Sequence, residues 1–327
     1  MLKLTKDQLS SNSLLNWLLQ DKPPSLRDSE QFTRDVFFNK LEHSFTNLKK
    51  PIDTCRIELQ EFNIDDYIGT PMSSVAEVAR IIDGTGFFKH FLINGSTADL
   101  NCIDGWSDFD AMAIVSKEAF TASSRAEFFN LCCQLDDVMR RIDPHQHHGI
   151  HFIHVNELTS FPNLYLPINI IEDCKCLLGS SYVTITGVNS LDFEKSRFHA
   201  IVKTLKSAAA DGVLRHHAKD GKYLLSNYQD MNVMYQLKYF LCLIMLMPAL
   251  WLNLRGVYCD KPKSYQLIEK FFDPDELEIL HAASKIRSLW SPGLNNANLI
   301  PQLAVEVLGD NYLQRAAIYA NTFMDRL

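Results

Sequence analysis

Two carboxylates one residue apart, Asp108 and Asp110, follow a Gly95-Ser96 pair across a short loop, and apolar runs flank both features: FFKHFLI before the glycine, AMAIV after the second acid. On an extended strand, side chains at i and i+2 leave from one face, so both carboxylates can share divalent cations. A glycine at a strand end lets backbone N–H groups approach phosphate oxygens, and the Ser96 hydroxyl adds a donor. The combination suits a Mg²⁺-bound triphosphate. Metal ions there clamp the phosphates and offset charge as the transfer proceeds, while the protein contributes position. Either half recurs by chance in unrelated loops; the pair, spaced between two strands, carries the reading.

The flanking elements are those such a site needs. From Ser73, read as an N-cap, the run SVAEVARIID has apolar residues at helical spacing and stops at Gly84. FFKHFLING then reads as a strand into the Gly-Ser turn, DFDAMAIV as a second strand, and about Ser123 to Ile142 as a helix with one apolar face. HHGIHFIHV, after the turn signal at Asp143-Pro144, reads as a third strand. The expected fold class is α+β, a mixed sheet with flanking helices at 66–188. It follows a helical N-terminal extension at 1–65 and precedes an all-α helical bundle at 189–327, where helical periods replace strand signals.

The segment LINGSTADLNCIDGWSDFDAMAIV resembles the DNA polymerase β-like nucleotidyltransferase superfamily, in its aminoglycoside- and minimal-nucleotidyltransferase-like branch. That signature is a strand, Gly-Ser or Gly-Gly, about ten residues, then Asp-x-Asp on the next strand; Ser107 before the first Asp strengthens the likeness. The resemblance implies two Mg²⁺ ions, a nucleoside triphosphate and nucleotidyl transfer with loss of pyrophosphate. Asp108 and Asp110 would be the metal ligands, and Gly95, Ser96 and Ser107 would hold the nucleotide. This chain departs from the pattern twice. Asp99 stands where the minimal branch has an arginine, so phosphate charge needs an imported cation, with Arg255, Lys261 and Lys263 as candidates and Lys203 and Lys206 as weaker ones. The third carboxylate expected on the strand after the helix is replaced by HGIHFIHV: either His151 substitutes as ligand or base, or Glu157 reaches in, or the position is lost.

Composition narrows the partners. The 327 residues are 46% apolar and carry a formal charge of −7, which suits a globular chain of roughly two domains (~150 residues each) and argues against a long nucleic acid or an anionic membrane as partner. A small-molecule or protein acceptor is the expectation, and an apolar bundle of this size could support a homodimer. Tyr239 to Leu252 is apolar but interrupted by Pro248 and too short to span a bilayer. The eight cysteines include no CxxC pair and read as reduced, hence a cytoplasmic protein. His145, His147, His148, His151 and His154 gather five of the 11 histidines, but strand alternation splits them between faces, so one ion cannot collect them all. His216, His217 and Asp220 complete no metal motif. Two other functions remain open: a nucleotide-binding or interaction protein that has kept the fold but lost catalysis with the third acid, and, ranked last, a histidine-based metal hydrolase.

Overall fold

The computed structural model describes residues 53–104, 106–121, 123–142, 150–162, 168–188, 192–212, 214, 233–259, 261–290, 304 and 306–327. Two compact units divide the chain, one holding the described residues up to 102 and from 107 to 188, the other holding 103, 104, 106 and the described residues from 192 onward.

In the first unit the order is β1 (Asp53–Glu58), β2 (Gln60–Glu61), α1 (Val75–Ile82), β3 (Phe88–Ile93), a single turn α2 (Gly95–Ala98), β4 (Ala111–Val115), α3 (Arg125–Ile142), β5 (Ile150–His154), β6 (Phe161–Pro162), α4 (Ile168–Glu172), β7 (Lys175–Leu178) and β8 (Tyr182–Val188). A mixed five-stranded sheet runs β2-β7-β3-β4-β5, and a smaller one β1-β8-β6. β3 is antiparallel to both β7 and β4, whereas β4 and β5 run parallel. One register row crosses the larger sheet: Gln60, Lys175, Ile93, Ala111, Ile150. Beyond that row the chain turns at Asn94 and enters at Asp110.

Strand alternation sorts the core into two layers. Phe91, Ile93, Ala111, Ala113, Val115, Ile150 and Phe152 pack beneath the apolar stripes of α1 and α3. Leu92, Met112, Ile114 and Ile153 meet Ile57, Val183 and Ile185 of the smaller sheet on the opposite face. With both faces covered, β4 is apolar at every position, AMAIV, and fully buried. In α1, Val75, Val78 and Ile82 form the buried stripe, the i, i+3, i+7 spacing of a helix lying on a sheet. Its N-cap is Ser74 rather than Ser73.

Away from the turn, β3 shifts register against β4 between Phe88 and His90, and against β7 between Phe91 and Leu92. His90 is buried beside Gly179, whose φ of +125° only glycine adopts readily and whose missing Cβ would lie 2.4 Å from His90 Nδ1. Burial, with the Lys89 charge adding to it, pushes the imidazole from 6.5 down to about 4. Because the folded value is depressed, this neutral histidine contributes stability in full above the unfolded value and loses it as pH falls toward about 4. Urea unfolding of the wild type should lose about 3 kcal/mol between pH 7 and 4 from this group, and His90→Leu should flatten that part of the profile.

The second unit contains α5 (Asp192–Asp211), α6 (Val233–Leu254), α7 (Lys261–Ile268), α8 (Glu278–Ser288) and α9 (Tyr312–Asp325). Its core gathers Phe198 and Leu205 of α5, Leu241, Ile244 and Trp251 of α6, Ile286 of α8, and Tyr319 and Phe323 of α9. Phe272 stacks on Phe323 at 4.3 Å, and Trp106 meets Trp290 edge-on at 4.8 Å, geometries that aromatic quadrupoles favour. The apolar length of α6 is used inward: 67% of Leu237–Leu254 is buried within the protein.

The helical reading of 1–65 fails at its end. Residues 53–61 form β1 and β2, where TCRIEL alternates outward Arg56 and Glu58 with inward Ile57 and Leu59; residues 1–52 lie outside the described residues.

Candidate active site

The Gly-Ser turn and the acid pair meet at one end of the larger sheet. Asn94 N donates to the Asp110 carbonyl at 3.0 Å, extending the β3–β4 ladder by one step past Ile93 and Ala111. The chain then reverses at Gly95, whose φ is +64° and where a Cβ would sit 2.8 Å from Asp110 Oδ2. Any side chain at 95 would occupy the space where Asp110 brings its carboxylate against the turn.

Asp108 and Asp110 precede β4 proper, which begins at Ala111, yet they keep its alternation. Phe109 is fully buried in the helix-side core with Ala111 and Ala113; the two carboxylates therefore leave from the other face, the face of Met112 and Ile114. Asp108 is nearly buried and Asp110 half-buried, while Gly95 is exposed and Ser96 half-buried. Ser107 is buried alongside them.

The turn is braced from three sides. Thr97 Oγ1 donates to the Asp108 carbonyl at 3.2 Å, Tyr67 Oη donates to the Thr97 carbonyl at 2.8 Å, and Asn101 N donates to the Ser96 carbonyl at 3.0 Å. The first of these ties the two halves of the motif directly. Sequence reading did not single out Tyr67, Thr97 or Asn94. Asn94 was open to discovery by counting alternation one step past Ile93; Tyr67 comes from an unrelated stretch and gave no signal.

Cys102 and Cys174 both feel the Asp110 charge. Burial pushes the Cys102 thiol up to about 11 and the Cys174 thiol up to about 12, so both are protonated at neutral pH in the metal-free protein. What remains at this edge is hard oxygen, the ligand type Mg²⁺ takes. The residues fit that ion and a phosphate: two carboxylates on one face, an exposed glycine turned against one of them, and a hydroxyl beside it.

The third ligand position is a different matter. His151 stands on the acid face but level with Met112, two register steps inward from Asp110. Glu157 is fully buried in the turn after β5, where its Oε2 accepts the His154 N–H at 2.8 Å and completes a capping box. His154 Nδ1 accepts from Asn156 N in the same cap. Among the described residues no group of three or more His, Cys, Asp and Glu side chains is placed to hold a metal ion. Glu157 is taken by this cap, because a strand ending in His154 leaves an N–H that needs an acceptor, and among the described residues neither it nor His151 forms such a group with Asp108 and Asp110. Glu157→Ala should lower stability by about 1–3 kcal/mol in a denaturant titration and leave Mg-nucleotide affinity unchanged by calorimetry.

Lys261 and Lys263 open α7 in the second unit, both exposed. His145, His147, His148, His216, His217 and Asp220 lie outside the described residues. The eight cysteines, all within the described residues, form no disulfide. The chain matches no family model, no curated protein and no solved structure.

Proposed function

We propose that the chain is a Mg²⁺-dependent nucleotidyltransferase, with a nucleotidyltransferase-type mixed sheet followed by a helical bundle domain, which moves a nucleotidyl group from a nucleoside triphosphate to a small-molecule or protein acceptor and releases pyrophosphate. One observation carries this reading: the positive-φ Gly95 packed against the Asp110 carboxylate, which unites a phosphate-approaching turn with a metal-binding pair.

In this reading Asp108 and Asp110 hold Mg²⁺ from one face of the strand. The Gly95 and Ser96 N–H groups and the Ser96 hydroxyl orient the phosphates. Thr97 and Tyr67 fix the turn, so its donors need no rearrangement as charge develops. Bound Mg²⁺ would supply charge neutralisation on the triphosphate and a lowered pKa for the attacking group. The absence of disulfides among the eight cysteines agrees with a cytoplasmic setting.

Calorimetry of ATP, CTP, GTP and UTP with and without Mg²⁺ tests the reading. Binding that needs the metal supports it; binding indifferent to the metal sinks it. The want of a third acidic ligand among the described residues favours one other reading, a nucleotide-binding protein that does not turn over. Mg-dependent binding without pyrophosphate release, across a panel of sugars, amino sugars and proteins, would select it.

A further inference from the structure

Asn94 has the one buried amide oxygen that the site leaves unexplained. The residue is 7% exposed, and its Oδ1 is buried with no hydrogen-bond partner. An orphaned buried acceptor forfeits hydration and gains nothing in exchange, so a native chain keeps one where something else satisfies it.

Its position says what that is. Asn94 follows Ile93, which belongs to the helix-side core, so alternation turns the Asn94 side chain to the opposite face, the face of Asp108 and Asp110. Asn94 N bonds to the Asp110 carbonyl, one step past the Ile93–Ala111 pair, which makes residues 94 and 110 direct cross-strand neighbours, a relation that brings Cβ atoms to about 5 Å. A partnerless amide oxygen and a carboxylate thus stand side by side. Two acceptors so placed want a donor or a cation between them, and an amide carbonyl is a standard oxygen ligand for hard divalent ions.

We infer that Asn94 is a metal ligand, its amide oxygen joining Asp108 and Asp110 as the neutral third member of a hard-cation site. The inference rests on the proposed metal site and deepens it: the ligand missing from β5 is supplied from β3, on the other side of β4. A neutral third ligand leaves the site with less negative charge than three carboxylates, which lowers affinity for the free ion and makes the triphosphate oxygens a larger share of the coordination.

Mn²⁺ alone, titrated into the full-length metal-free chain and followed by the electron paramagnetic resonance of the unbound ion, tests this without reference to activity. Asn94→Leu should weaken Mn²⁺ at least tenfold while leaving the metal-free melting temperature unchanged or raised, since an apolar side chain of similar shape removes the orphan. Asn94→Asp should tighten Mn²⁺ about tenfold and lower the metal-free melting temperature by placing like charges together. Asp110→Asn is the control for the site itself. If Asp110→Asn abolishes binding and Asn94→Leu does not change it, the Asn94 assignment falls and the site stands. If wild type binds Mn²⁺ neither alone nor with a nucleoside triphosphate, or Asp110→Asn binds as wild type does, the metal site falls with it. A lower melting temperature for metal-free Asn94→Leu together with weaker Mn²⁺ binding by Asn94→Asp would make Asn94 a hydrogen-bond donor to Asp110 instead, and would overturn the proposal.

Discussion

Asp110→Asn should abolish Mg-dependent nucleotide binding and lower any turnover by roughly 10³-fold, about 4 kcal/mol of transition-state stabilisation, with little change in the unfolding midpoint. The substitution is nearly isosteric and half-buried, its backbone carbonyl still accepts from Asn94 N, and the ladder is intact. Only the charge is lost. Calorimetry reads the binding, and a coupled pyrophosphate assay reads the turnover. Nucleotide affinity equal to wild type would place the nucleotide somewhere other than this strand edge.

Gly95→Ala should be the second large effect, of a different kind. Alanine at a φ of +64° costs about 1–2 kcal/mol, and its methyl would sit 2.8 Å from Asp110 Oδ2. The Asp110 carboxyl is the end of a short side chain, so relief comes by turning it away or by shifting the Asn94–Gly95 turn. Either displaces the proposed metal ligand from the proposed phosphate donors, and a misplacement of about 1 Å at a reacting centre can cost on the order of 10²-fold. The expected result is a loss of Mg-nucleotide affinity of about that size, together with the 1–2 kcal/mol loss in a urea titration. A variant with wild-type affinity would show that Gly95 serves chain reversal alone.

The parts of this fold legible in the sequence were those fixed by local pattern. The period of VAEVARII named a helix and AMAIV a buried strand, and the spacing of Gly95, Asp108 and Asp110 marked residues that the sheet brings to one edge, because each is decided within a few residues. The β1 and β2 strands were missed because TCRIEL alternates over too short a run to outweigh the helical patterns before it, and because their pairing partners, β8 and β7, come more than 100 residues later. Glu157 illustrates a second limit. An acid near a predicted strand end reads equally as ligand or cap, and only the geometry after His154 decides. Asn94 illustrates a third: in the sequence it is the residue before a glycine, and its interest begins when its oxygen is found buried without a partner.

The register shifts in β3 lie at Phe88–His90 and Phe91–Leu92, while the pairs nearest the turn, Leu92 with Met112 and Ile93 with Ala111, are regular. In a two-faced sheet the register works as an address: a slip of one residue delivers every side chain to the opposite side. Bulges placed upstream absorb length changes before they reach the acids. An insertion near Lys89 should therefore be survivable, whereas a single deletion within Ala111–Val115 would post Asp108 and Asp110 into the apolar layer beneath α1 and α3.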